Sequence, residues 1–198
     1  MAQIGALPMQ QLPLFDGSVP VQPNRNHKHK PQSDLSYSSA RNEWQTPQSI
    51  IEHAVTALGS IDLDPCSTSK YDARVPAKWH FTAEDNSLAQ HWEGRVWLNP
   101  PYGRAITPWI EKLHTEYESG GVTAAVVLVP ARTDTRWWQE LADYPYCALR
   151  GRVQFVREDT GKKGHPSFPS AAVYLGPQLS RFATAFADIG TIYIPYNG

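Results

Sequence analysis

The chain has 198 residues, with 18 Lys and Arg against 19 Asp and Glu, which leaves room for one ordinary domain plus an appendage and excludes two large domains. Hydrophobic residues make up 41% and all seven Trp lie between Trp44 and Trp138, so one central stretch holds the apolar content of a sizeable core. A formal charge of -1 excludes coating of nucleic acid by bulk electrostatics, and any polyanion must be met by a local basic patch.

Residues 1–41 contain five Pro, five Gln and no Trp, with a polar stretch over 24–39 that includes His27-Lys28-His29-Lys30. That composition does not offset the entropy of ordering and predicts a disordered arm ahead of a folded domain at 42–198. The His/Lys alternation reads as a solvated tail. One apolar island interrupts the arm, Gln11-Leu12-Pro13-Leu14-Phe15. It resembles the pentapeptide with which bacterial replication proteins dock onto the sliding clamp. The resemblance implies Gln11 on a polar rim and Leu12, Leu14 and Phe15 in an apolar pocket of that partner.

From Asn42 onward helix and strand patterns alternate. Thr46-Pro47 reads as a cap followed by Pro at the first helical position, and Ile50, Ile51, Ala54, Val55 and Leu58 form a stripe that Gly59 ends. Strands are expected at 60–64, 79–81 and 94–98, with a short helix near 87–91 and a longer one over 106–117 ended by Gly120-Gly121. Residues 122–129 are a nearly continuous β-branched run, as expected of a parallel strand buried on both faces. A helix over 135–142 and strands over 147–156 and 171–175 follow, with a polar loop at 157–165 between the last two. Such alternation describes an α/β doubly wound sheet, whose ligands sit at the carboxyl ends of the strands. Asp64, Asp85, Asn99 and Arg132 all fall at such ends.

Cys66 and Cys147 are the only cysteines, too few for a disulfide scaffold or a four-thiolate zinc site. No metal is expected, and the setting is read as reduced and cytoplasmic. No run reaches the roughly 18 apolar residues of a membrane span, and no secretory leader is read at the start, so the expectation is a soluble, unexported monomer.

Asn99-Pro100-Pro101-Tyr102, directly after a hydrophobic strand, is the most informative segment. Two prolines fix the backbone and remove two amide donors, leaving the Asn99 side-chain oxygen and the Pro100 carbonyl as acceptors. An exocyclic amino group offers two N–H donors. When both are held, its lone pair leaves conjugation with the ring and can be aimed at an electrophilic methyl group. Tyr102 offers a face on which an extruded base can stack.

The chain resembles the phage-type DNA N6-adenine methyltransferases, a small branch of the class I enzymes dependent on S-adenosyl-L-methionine (AdoMet). The resemblance rests on Glu43-Trp44-Gln45-Thr46-Pro47, Asp62-Leu63-Asp64, Phe81-Thr82-Ala83-Glu84-Asp85, the segment from Asn99 to Gly103, Pro130-Ala131-Arg132-Thr133-Asp134-Thr135-Arg136-Trp137, Gly151-Arg152 and Phe168-Pro169-Ser170-Ala171. It implies a Rossmann-like fold, a compact mixed sheet with helices on both faces, and methyl transfer to N6 of a flipped adenine in double-stranded DNA. It further implies AdoMet held by Thr46 and Pro47 at a helix start, by Asp64 or its neighbour Asp62 next to Pro65, and by Glu84 and Asp85. A bacterial cell carrying a phage or prophage is the implied setting, and a restriction-modification role belongs to the same picture.

One departure stands out, because Pro65-Cys66-Ser67-Thr68-Ser69 replaces the Gly-x-Gly turn usual after the first strand. Asp64 and Asn99 are also only about 35 residues apart, too close for two full strand-helix units, so one unit is expected to be shortened or lost. DNA contact is assigned to Arg132, Arg136, Arg152, Lys162 and Lys163, part of a set of seven basic residues between 132 and 163, with Trp137 or Trp138 as a candidate duplex wedge and core packing expected of at least one of them. Asn-Pro-Pro-Tyr equally suits cytosine N4, guanine N2 in RNA or protein glutamine, and the missing glycine turn also fits a non-catalytic DNA- or clamp-binding adaptor.

Overall fold

The structure is a computed structural model that describes residues 44–70, 74–157 and 160–196. The arm at 1–41, with its pentapeptide at 11–15, lies outside the described residues. The described chain opens with β1 (Trp44–Gln45) and passes through Thr46 and Pro47 into α1 (Gln48–Leu58), which buries Ile50, Ile51, Ala54, Ala57 and Leu58. The start of α1 differs from the sequence expectation. Pro47 takes the cap position, its carbonyl receives the amides of Ile50 and Ile51, and no side chain caps the helix. The Thr46 hydroxyl is engaged elsewhere.

Three strands and two short turns follow: β2 (Ile61–Asp64), β3 (Ala77–His80), 3-10 turns at Ala83–Asp85 and Ser87–Ala89, and β4 (Gly94–Leu98). The short helix expected near 87–91 is thus two single turns. Next come α2 (Thr107–Glu118), β5 (Val122–Pro130) and α3 (Arg136–Leu141). Beyond them lie β6 (Tyr146–Leu149), β7 (Phe155–Arg157), β8 (Lys163–Gly164), β9 (Ser170–Leu175), α4 (Leu179–Phe186) and β10 (Gly190–Tyr193). The single strand expected over 147–156 is therefore two strands, broken at Gly151, whose φ of 75° lies in the left-handed region. Its halves join different sheets.

The main sheet has seven strands in the order β10-β6-β9-β5-β4-β2-β3. Strands β3, β2, β4 and β5 are parallel, whereas β9 runs antiparallel between β5 and β6, and β10 antiparallel at the edge. The sheet is mixed, and one face is covered by α1 and α4, with Phe182 and Phe186 fully buried beside Trp97, Val126 and Tyr174. The other is covered by α2 and α3, which bury Ile110, Leu113, Trp137 and Trp138 against Val96, Val127 and Val173. Burying both faces explains the uninterrupted apolar run of β5. It also corrects the wedge expectation, because neither Trp137 nor Trp138 reaches the surface.

Only β3 lies between β2 and β4 in chain order, and the connection from β2 to β3 has no helix among its described residues. The expected loss of a strand-helix unit is seen here. The chain runs outward from β2 to β3, then returns past β2 to β4, so the strand order reverses between the carboxyl ends of β2 and β4. A smaller antiparallel sheet, β1-β7-β8, carries the entry into α1. No described helix is long and apolar enough to cross a membrane.

Candidate active site

Where strand order reverses, neighbouring loops diverge and leave a crevice. Asp64 ends β2 and Asn99 follows β4, so these two side chains flank that crevice. The entry to α1 closes it from above. There the Asn99 amide donates from Nδ2 to the Thr46 hydroxyl at 3.0 Å, a contact across 53 residues of sequence. With its nitrogen held, the amide leaves Oδ1 as an acceptor. Among the described residues no donor is bonded to Asn99 Oδ1 or to the Pro100 carbonyl. Pro100 is buried, Asn99 half-buried and Pro101 exposed.

Asp64 is almost wholly buried and accepts one hydrogen bond, from the Cys66 amide to Oδ1 at 3.0 Å. Burial raises its carboxyl to about 7, with the Cys66 amide pulling weakly the other way. A desolvated acid with a spare oxygen is a receptor for a cationic group. The same burial, helped by the Asp64 charge, raises the Cys66 thiol and keeps it protonated, which suits packing and not nucleophilic attack. Gln45 Oε1 is buried and unpartnered in the same crevice. A buried acid and an orphaned amide oxygen are acceptors that fit the ammonium end of an amino-acid-bearing cofactor, with the Thr46 hydroxyl in the same crevice for its carboxylate.

The enclosed part of the crevice holds about 60 Å³. That is well under the roughly 150 Å³ that admits one benzene ring, so a purine enters only if a wall moves. One wall is Thr68, Arg74 and Val75 from the connection between β2 and β3, and residues 71–73 of that connection lie outside the described residues. Tyr102 turns inward. Its ring meets Phe155 edge-on at 6.1 Å, its hydroxyl is buried without a partner, and burial raises its phenol well above the usual range. Tyr102 is half-buried as a whole, with its hydroxyl end turned inward.

The two aspartates of β2 separate clearly. Asp62 accepts from Arg95 Nε at 2.8 Å and its backbone amide at 2.9 Å, and pairs with Lys78 at 2.7 Å. The Arg95 bonds hold its carboxyl well below the usual carboxylate range. Asp62 thus sits beside the start of β4, away from the crevice, while Asp64 sits at the carboxyl end. Pro65 is buried behind Asp64. Asp85 closes a capping box, receiving the Thr82 amide and hydroxyl at 2.8 Å each, and pairs with Lys70 at 2.5 Å. The Lys70 bond leads in lowering it to about 2. Glu84 beside it is exposed.

The basic candidates fall into two groups. Arg132 pairs with Asp134 at 3.1 Å and lies 4.8 Å over the Phe168 ring, and Arg136 is 3.7 Å from Glu140 on its own helix. Arg152, Lys162 and Lys163 are exposed near the smaller sheet. Sequence reasoning missed Arg74, Val75 and Trp97 as crevice residues, and gave Trp44 and Gln45 no role of their own. Gln45 was legible only as the neighbour of Thr46 in the block that carries the resemblance.

No curated protein matches the chain. A family model described as DNA N-6-adenine-methyltransferase (Dam) matches residues 32–185, most of the chain.

Proposed function

The chain belongs to the DNA N-6-adenine-methyltransferase (Dam) family, and from that membership we propose that it methylates the N6 amino group of an adenine rotated out of duplex DNA. The observation that carries this reading is the pair of acceptors without a donor among the described residues, Asn99 Oδ1 and the Pro100 carbonyl, at the reversal point of the sheet, where Asn99 lines the same crevice as Asp64.

S-adenosyl-L-methionine, when bound, would supply the electrophilic methyl group, its carbon–sulfur bond breaking to leave the thioether S-adenosylhomocysteine. Asp64 would receive the ammonium of its methionine end, and the Thr46 hydroxyl, which lines the same crevice, would receive the carboxylate. Asp62 has no part in this, being committed to Arg95 and Lys78. Glu84 is assigned to the ribose. Asp85 meets the cofactor's adenine only if Lys70 gives up its place.

Asn99 and Pro100 accept the two N6 hydrogens of the target adenine. The nitrogen lone pair is then localised, and the positive charge that grows on nitrogen is met by two fixed oxygens, so the interaction strengthens toward the transition state. Alignment is the larger contribution, up to about 7–11 kcal/mol. No strong base is needed, since the amine turns acidic as it is alkylated and its proton passes to solvent.

The reading is tested by incubating the protein with methyl-labelled AdoMet and, separately, unmethylated duplex DNA, RNA and protein, then hydrolysing the products. Label is expected in N6-methyladenine from DNA. Label solely in N4-methylcytosine, RNA guanine or glutamine overturns the substrate. Absence of AdoMet binding by calorimetry overturns catalysis and favours an adaptor.

A further inference from the structure

The segment 46–51 borders two depressions. One is the crevice of Asp64 and Asn99. The other is an open groove of about 460 Å³ lined by the first residues of α1, the connection after β6, and Lys163 of β8, with Arg74 lining both. We propose that this groove holds the phosphodiester backbone of the strand whose adenine enters the crevice, with Arg74, Arg150, Arg152 and Lys163 as its phosphate ligands. The proposal rests on the methyl-transfer reading for the identity of the strand.

Charge pairing singles this groove out. Six cations elsewhere are held by neighbouring acids, Arg95 and Lys78 by Asp62, Lys70 by Asp85, Lys112 by Glu116, Arg132 by Asp134 and Arg136 by Glu140, while among the described residues Arg104, Lys162 and Arg181 stand singly outside the groove. In the groove no carboxylate appears in the lining, and none of the four cations has an ion pair among the described residues. The Arg150 guanidinium donates to the Asp188 carbonyl, at 3.3 Å, and its backbone amide to the Ile189 carbonyl. The start of α1 adds backbone amides with no side-chain cap and no acidic residue in the first turn. Four unpaired cations from three chain segments exceed what one cofactor carboxylate requires, and they form a concave track suited to consecutive phosphates.

Position gives the groove its purpose. A base leaves a duplex by rotation about its own backbone, so the flanking phosphates must be gripped close to where the base arrives. Arg74, shared by groove and crevice, marks the point where backbone and base part. Two of these residues, Arg74 and Arg150, were not among the DNA contacts read from sequence.

The test compares wild type with the double variant R152A/K163A for binding of unmethylated duplex DNA across a salt series. Each lost phosphate contact makes the slope of log affinity against log salt shallower by about 0.9, so the variant is expected to lose about two units of slope and ~10-fold or more in affinity near 50 mM salt. AdoMet binding by calorimetry stays unchanged. An independent readout uses the wild-type protein alone: bound DNA shields Lys163 from amine acylation while exposed Lys78 stays reactive. Equal slopes, or equal acylation of Lys163 with and without DNA, overturn the groove. Normal DNA binding and shielding without any methyl transfer would instead uphold the groove and overturn the transferase reading.

Discussion

Asn99 depends on a hydroxyl 53 residues before it, and that contact converts a mobile amide into an acceptor of fixed direction. The Asn-Pro-Pro-Tyr segment was legible because local chemistry and position after an apolar strand pointed the same way. The Thr46 contact was not, since no local pattern spans two separate elements. Thr46 read as a helix cap, and the same hydroxyl does a different job. Asp62 and Asp64 share a face of β2, so alternation could not choose between them. Their height along the strand decides it, and height depends on register with β4. Asp64 yields a prediction with a definite sign. Its folded value of about 7 exceeds the ordinary 3.8, so the native state keeps a proton that the unfolded chain gives up. Stability of the ligand-free protein therefore declines as pH rises from about 4 to about 7 and levels off above, by an amount of the order of 4 kcal/mol at about 1.4 kcal/mol per unit. Asp64→Asn removes the penalty. In thermal denaturation it is expected to raise Tm near pH 8, leave it little changed near pH 4, and abolish AdoMet binding. A variant destabilised near pH 8 would contradict the assignment.

At the scale of elements, helices α1 and α2 and strand β5 followed from spacing, because their apolar residues face one core or two and their ends carry Pro or Gly. The smaller sheet was invisible for a physical reason. Its strands β1 and β8 have two residues each, too short to express alternation, and they are held by tertiary pairing with β7. The α4 and β10 pair, beyond the last block of resemblance, also went unread. The close approach of Gly164 to Trp44 fixes the smaller sheet, since a Cβ on Gly164 would fall inside the contact distance of the indole ring. Gly164→Ala is expected to cost about 1–3 kcal/mol in chemical denaturation, the range for overpacking a fitted contact, and to perturb the groove beside Lys163. An unchanged midpoint and slope would mean that the indole yields freely and that the sheet is not pinned there. The crevice itself, narrower than a purine, was the feature least open to sequence, because its volume depends on how Thr68, Arg74 and Val75 pack around Asp64 and Trp97.

At the scale of the whole molecule, a short path between β2 and β4 brings the candidate site residues together. With one strand-helix unit missing, the reversal point lies between β2 and β4, and the loops after β2, β3, β4, β5 and β6 gather at one edge of the sheet. Near-neutral net charge hides a division of labour: six cations pair with neighbouring acids, and four with no ion pair among the described residues line one groove beside the crevice. The most direct measurement of the central claim is a paired assay of Asn99→Ala, methyl transfer to adenine in DNA on one side and calorimetric AdoMet binding on the other. The account predicts loss of transfer by about three orders of magnitude or more, a size typical of removing a fixed transition-state hydrogen-bond partner and its alignment, with AdoMet affinity close to wild type. Transfer retained in the variant, or transfer and AdoMet affinity lost together, would contradict it.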